Sequence, residues 1–346
     1  MKQRVKNLIP HPLICCLNVF VIIVFAGCFY GNYASEVVFR QVVPKPNGCI
    51  FVYGGFDQKS KDFLLKECDS KFEVLKPFSI GYIKKMLFIN ENTAFAIVGG
   101  SLVRFNYDNT GFVLDIVERE SDHFYLEDVF FIKQYRGWAS GENGLLIKTN
   151  DGGKTWSKVK SGTKFELNQI NFVNDKFGWS LGSERKAGVL RSILLLSEDG
   201  GRIWKGVKLP RNEALYSIFF STNIHGCGLF EKGLLCTWNG KNWIPIRLPD
   251  EYFSQILFLN PQNGWIVGDS ILHTVDGGAS WIYSLRGKID EKQNYESLDL
   301  DSIYFMNEKV GWTWGLDKVL KTTDGGKTWR NISNKWIARL KKKLTS

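Results

Sequence analysis

One motif returns four times with little change: TNDGGKTW at 149–156, SEDGGRIW at 197–204, TVDGGASW at 274–281 and TTDGGKTW at 322–329, with a worn copy, TWNGKNW, at 237–243. Ahead of each stands a second marker, Gly137-Trp138, Gly178-Trp179, Gly264-Trp265 and Gly311-Trp312, with Ala94-Phe95 and Gly226-Cys227 as variants. Ahead of that runs an apolar Ile-x-Phe segment ending at Phe88, Phe131, Phe172, Phe220, Phe258 or Phe305, always seven residues before the second marker. A seventh unit fits at the front, with Cys49 in the second-marker place and Val42 seven residues earlier; Phe72 and Phe112 stand in for the motif tryptophan in the first two units. The motif aromatics then follow one another in steps of 40, 44, 48, 39, 38 and 48 residues. A chain that repeats at this interval builds its core between units, because one short unit cannot bury both of its faces.

The motif matches the Asp-box, known from sialidases and several other propeller families. Its physics is that of a hairpin turn held by its own side chains. Asp151, Asp199, Asp276 and Asp324 are placed to accept bonds from turn amides about two residues on, and the paired glycines permit positive φ. Trp156, Trp204, Trp281 and Trp329 then open the next strand and carry a large ring between neighbouring sheets, each contributing about 2 kcal/mol. The resemblance to those families implies that the boxes are structural and that their aspartates are not catalytic. Each unit reads as four strands, and the fold as an all-β, seven-bladed β-propeller of four-stranded antiparallel blades. The blades span about 36–78, 79–124, 125–164, 165–211, 212–250, 251–296 and 297–336, with ring closure expected where 37–43 meets the last blade. Residues 337–346 read as a basic, solvated C-terminal tail.

The first 27 residues read as a signal peptide of lipoprotein type or a membrane anchor, with 28–35 as linker. Lys2, Arg4 and Lys6 precede an apolar run at 13–26, and Phe25-Ala26-Gly27-Cys28 resembles a lipobox, which implies lipid attachment at Cys28. An uncleaved anchor over 13–30 gives the same topology, and cleavage to a soluble secreted protein is the third option. The formal charge is +10, of which those three residues supply three, leaving +7 on the exported part. Its Lys and Arg residues are scattered along the blades, which argues against nucleic acid. Cys49, Cys68, Cys227 and Cys236 enter an oxidising compartment. Cys227 and Cys236 face each other across a hairpin and form either a disulfide or two small buried contacts. The four histidines, His11, His123, His225 and His273, show no ligand spacing, and no glycine-rich loop opens a helix, so neither a metal nor another cofactor is expected.

The Ile-x-Phe segment, GWASGENGLLIKTNDGGKTW at 137–156 and GWTWGLDKVLKTTDGGKTW at 311–329 together resemble the Ycf48/HCF136 family, over nearly the whole exported chain. The resemblance implies a monomeric, non-catalytic propeller that binds protein partners at a membrane through a basic patch, as those proteins do when they assist photosystem II assembly. It places the chain in the cell envelope, or on the lumenal side of a thylakoid if the source is photosynthetic. The candidate partner-binding face is formed by the loops entering the inner strands and the turns between middle strands, with Asp122, Glu142, Arg185, Lys186, Asp269 and Asp317 on it. Residues 183–188 depart from the pattern, standing where sibling blades have a tight turn. A glycoside hydrolase of sialidase or endoglucanase type is the alternative, although the sialidase arginine triad, tyrosine nucleophile and Phe-Arg-Ile-Pro motif are missing; a sortilin-like peptide-binding module is another.

Overall fold

In the computed structural model of the chain, the described residues are 37–344 apart from 46–47, 57–58, 69–70, 76–81, 109–110, 119–124, 211–212, 238, 240–241 and 290–294. The leader and Cys28 lie outside them, as does Asp122. Residues 35–346 form one compact unit. Seven four-stranded antiparallel sheets follow one another along it, each drawn from one contiguous stretch of chain. Their first strands are Val38–Pro44, Ile83–Phe88, Leu126–Lys133, Glu166–Phe172, Leu215–Phe220, Phe253–Phe258 and Leu300–Phe305, which open blades 1 to 7. A small hairpin, Lys288–Ile289 with Tyr295–Glu296, stands between blades 6 and 7.

The three sequence landmarks turn out to be one packing unit. In blades 3 to 7 the marker phenylalanine pairs directly with the marker glycine, as in Phe131↔Gly137 and Phe305↔Gly311. The ring lies over the glycine so closely that a Cβ there would come within 2.4 to 2.6 Å of it. The second-marker aromatic of one blade then meets the phenylalanine of the next: Phe95 with Phe131 at 4.9 Å between centroids, Trp138 with Phe172 at 3.6 Å, Trp265 with Phe305 at 4.2 Å. The box tryptophan of that next blade approaches the same phenylalanine edge-on, at 5.8 Å for Trp156 on Phe131, 5.7 Å for Trp204 on Phe172 and 6.0 Å for Trp329 on Phe305. Seven buried clusters result, one at each junction between neighbouring blades, blade 7 with blade 1 included.

Blade 1 corrects the placing of the first unit. Pro44 pairs with Ile50, and Phe51, not Cys49, stacks on Phe88 of blade 2 at 4.9 Å. The seven-residue interval therefore holds, but between Pro44 and Phe51. Ring closure brings 37–43 against blade 7 as expected, and it does so by sheet faces. The strand Val38–Pro44 pairs within its own sheet and meets blade 7 face to face, with Phe39 N donating to Leu316 O at 2.9 Å and Trp314 Nε1 to Arg40 O at 3.1 Å. The segment expected as a solvated tail is an α-helix, Ser333–Leu344. Blade 1 has a proline where other blades offer a phenylalanine, and this helix adds an aromatic to the same junction: Trp336 packs on Phe39 at 6.0 Å, and Trp336 and Leu340 are fully buried. The basic run hid an apolar pair four residues apart, which is a helical and not a tail-like spacing.

Candidate functional site

The box turns join third to fourth strands, so antiparallel pairing puts them at the opposite end of each sheet from the turns joining second to third strands. Thr149 and Asp151 show how a box is held. Thr149 donates its hydroxyl to Asp151 Oδ1 at 2.8 Å and accepts Gly153 N at 2.9 Å; Asp151 accepts Lys154 N and Thr155 N at 3.0 Å each and the Thr155 hydroxyl at 2.6 Å. The amides caught are three and four residues on, one and two residues further than expected. Asp324 repeats the pattern, and the Thr328 hydroxyl and amide hold its carboxyl down at about 2. Asp199 and Asp276 sit in the same turns. These aspartates are saturated by their own loops.

The other end of the sheets is the candidate face. Glu142, Arg185, Lys186, Asp269 and Asp317 all fall in second-to-third-strand turns or at their edges, which gathers them on this face. Their environments differ. Asp269 is a clamp: Oδ2 accepts Tyr252 N at 2.9 Å, Oδ1 accepts the Ser297 hydroxyl at 2.6 Å, its amide donates to Tyr252 O at 2.9 Å and its carbonyl accepts Leu298 N at 3.0 Å. It ties the chain entering blade 6 to the one entering blade 7. Glu142 is half-buried; burial, then the Glu166 carboxylate, push its pKa up, against the pull of Lys84. Asp317 is half-buried beside exposed Leu316. Arg185 and Lys186 are exposed at the end of a long arm: the second and third strands of blade 4, Gly178–Lys186 and Val189–Ser197, stay paired to Lys186↔Val189, while the first strand stops at Glu166↔Ser183. Ala187 and Gly188, with φ of 49° and 78°, close it as a two-residue turn that requires positive φ at both positions. The apparent insertion is thus an extended hairpin that projects past its siblings, with Val189 55 % exposed at its tip.

Two features of this face escaped sequence reasoning. Tyr82, Tyr125 and Tyr252 each precede a first strand and are about half-exposed, an arc of aromatic surface at the entries to blades 2, 3 and 6. The second is a polar ring on the first strands. A bulge interrupts the first-to-second-strand ladder in every blade. The residue at the bulge reaches the following blade: Gln41 Oε1 accepts Met86 N at 2.9 Å, Asp128 Oδ2 accepts Ile170 N at 3.0 Å, Ser217 Oγ accepts Ile256 N at 3.2 Å and Gln255 Oε1 accepts Ile303 N at 2.7 Å. Lys85 pairs instead with Asp128 at 3.2 Å, and Lys84 with Glu127. The signal was present: a polar residue stands three before the marker residue in all seven units. Asp301, also on a first strand, touches solvent yet is hemmed in by protein, which pushes its carboxyl up to about 6, with Asp299 adding to the effect. Beside the Glu142 turn, an open hollow of 480 Å³ is lined by Lys158, Lys160, Ser161, Thr163 and Lys164 among others.

Four cysteines are joined in two disulfides, Cys49 to Cys68 and Cys227 to Cys236. The second pair lies directly across the blade 5 hairpin. It occupies the place where other blades put their marker tryptophan: a Cβ on Gly278, in the box of blade 6, would meet both sulfurs at 3.1 and 3.2 Å, while one on Gly201 or Gly326 would meet Trp138 or Trp265.

A family model described as photosynthesis system II assembly factor YCF48 matches residues 72–193 and 236–340. The photosystem II stability/assembly factor HCF136, chloroplastic, of Arabidopsis thaliana is 34% identical over 67 residues, 19% of this chain and 17% of that protein; its Oryza sativa subsp. japonica counterpart is 34% identical over 67 residues, 19% and 16%. The chain thus aligns with about a sixth of the length of these curated relatives. Among solved structures, YCF48 bound to D1 peptide superposes with a TM-score of 0.64 at 14% identity, covering 84% of this chain and 94% of that one. YCF48 from Cyanidioschyzon merolae gives 0.62 at 13%, covering 84% and 97%. The GH74 enzyme of Niastella koreensis gives 0.57 at 14%, covering 85% and 58%. At these identities the structures speak for the fold alone.

Proposed function

Because the chain belongs to the photosynthesis system II assembly factor YCF48 family, we propose that it is a non-catalytic propeller that binds protein partners at a membrane and assists the assembly of a membrane complex. The chain is exported and tethered, through lipid on Cys28 or an uncleaved apolar segment, and works as a monomer. The partner docks on the face that carries Glu142, Arg185, Lys186, Asp317 and the exposed tyrosines. The observation that carries this reading is the blade 4 hairpin, a structural departure on that face alone, whose tip is exposed and cationic. A YCF48 structure holds a D1 peptide; by that likeness the partner offers a segment of a membrane subunit.

Glycoside hydrolysis is disfavoured because Asp269, one of the acids of this face, has both carboxylate oxygens engaged in holding the face together. Replacing residues 184–191 by a short turn such as those of blades 6 and 7, which keeps Ser192 Oγ to accept Leu215 N, tests the proposal. The tagged chain is expected to bring down a membrane complex and the shortened variant to lose it with unchanged thermal unfolding. Release of sugar from a glycan panel by the purified chain, or retention of the complex by the shortened variant, contradicts the reading. Incorporation of a fatty-acid analogue that Cys28→Ala abolishes is the expected result for lipid tethering.

A further inference from the structure

Among the described residues, the blade 4 arm is a stretch of two-stranded ribbon with no third strand paired to either side. Its second and third strands stay in register from Gly178↔Ser197 to Lys186↔Val189 without a shift. The first strand leaves the ladder at Glu166↔Ser183, and the Phe165 carbonyl instead accepts Gly144 N of blade 3 at 2.8 Å. The fourth strand, Lys205–Val207, reaches only to Leu194. Residues 189–193 of the third strand therefore form an edge that the sheet itself does not pair.

Register decides which backbone groups that edge presents. The two-residue turn at Ala187 and Gly188 makes Lys186 and Val189 a hydrogen-bonded pair. Alternation along an antiparallel ladder then spends the amides and carbonyls of Glu184 and Arg191 on each other and turns those of Leu190 and Ser192 outward. The same alternation sends the backbone of Leu194 and Leu196 to the fourth strand, where they meet Val207 and Lys205. Leu190 and Ser192 continue that row past the point where the fourth strand ends. The Ser192 hydroxyl accepts Leu215 N at 2.9 Å, which fixes the base of the arm to blade 5.

Such an edge is a template for another strand, and proteins commonly blunt it with a proline or a bulge. Residues 184–193 contain no proline, and their ladder has no bulge. Charge selects what the edge admits. Lys186 and Arg191 are exposed, as is Arg185, which also donates to the neutral Gly188 carbonyl at 3.3 Å; the one acid of the arm, Glu184, is half-buried. Two copies brought edge to edge would set these cations against each other, whereas an acidic strand is drawn in.

We propose that the outer edge of this arm, at Leu190 and Ser192, takes an extended acidic segment of a partner protein as an added β-strand. Main-chain hydrogen bonds fix the register and the cations select the sign of charge. This deepens the reading of the hairpin as a docking element and rests on it.

An array of octapeptides that alternate Asp or Glu with Thr, Val or Tyr supplies the probe, and its strongest ligand is measured on the purified chain by fluorescence polarisation. Leu190→Pro removes one outward amide and leaves the ladder bonds to the second strand in place; it is expected to weaken binding roughly tenfold. Leu190→Ala keeps the amide and should bind within about twofold of the parent. A strand bonded along one side uses every second amide, so N-methylation of one alternate set of peptide amides should abolish binding and methylation of the other set should not. That comparison needs no change to the arm, and so stands even if the proline disturbs it. Absence of any ligand on the array, full retention by Leu190→Pro, or an equal response to both methylation patterns overturns the proposal. So does dimerisation of the parent that the proline abolishes, which assigns the edge to a second copy. Loss of the membrane complex on shortening the hairpin, with the complex retained by Leu190→Pro, keeps the docking reading and removes strand addition.

Discussion

At the scale of single residues, close approach and burial decide what each position tolerates. Gly201 combines a φ of +76° with a place where a Cβ would sit 2.3 Å from Trp138 Nε1. Gly201→Ala should cost about 2 kcal/mol or more in urea unfolding. Gly206→Ala, where the nearest atom to a Cβ is 4.0 Å away, should be near neutral. Titratable groups give a prediction with a definite sign. Burial lowers the pKa of His225, which sits between Ser221 and the Gly277 carbonyl, and of His273, which stacks on Trp265. The unfolded chain takes up these protons near 6.5 and the folded chain resists them, so stability should fall as pH drops below about 6.5. Asp301 acts the other way: its folded pKa of about 6 exceeds the ordinary 3.8, so the folded chain gains its proton first on acidification. Asp301→Asn should therefore steepen the fall in urea midpoint between pH 7 and pH 5, and an unchanged slope would refute this assignment.

At the scale of elements, each junction asks for the same three aromatic contributions, and the exceptions show how the demand is met otherwise. Between blades 5 and 6 the tryptophan is replaced by the Cys227–Cys236 bridge lying under Gly278. Cys227→Ser/Cys236→Ser should lose about 2 to 4 kcal/mol, whether that loss arises from chain entropy or from packing. Cys227→Trp/Cys236→Leu, which copies the Trp179↔Leu196 pair of blade 4, should recover part of it in the same denaturation assay. Between blades 7 and 1 the helix supplies the ring. Trp336→Ala should cost about 3 to 5 kcal/mol, with the loss of the Glu67 hydrogen bond included.

At the scale of the whole molecule, closure is the weak point of any ring made of contiguous blades. Among the described residues no strand is exchanged between the first and last sheets, so blade 7 and blade 1 are held by the faces of their sheets, by hydrogen bonds such as Phe39 N to Leu316 O and Trp314 Nε1 to Arg40 O, and by the helix. Ending the chain after Ile332 should therefore lower the thermal midpoint and speed proteolysis at the blade 1 edge before elsewhere. Simultaneous loss of all seven blades at an unchanged midpoint would show that the helix does not hold the ring. The proposed partner-docking face lies on the end of the sheets away from the boxes, so changes to the hairpin of blade 4 and to the helix should be separable: the first should affect complex capture, the second stability.

The number of blades, their strand content and the form of the box turns were legible in the sequence, because those depend on local spacing: a phenylalanine seven residues before its second-marker residue and a threonine two before an aspartate act within a few residues of chain. The sequence also carried the polar position three before each marker residue, though its role as a tether to the next blade was unreadable without neighbours. That Phe51 and not Cys49 faces blade 2, that Asp269 is a clamp, and that the basic end is a helix emerged from the folded ring. Each of these turns on which surface is left uncovered when seven sheets meet, and that is a property of the closed ring that no stretch of forty residues contains.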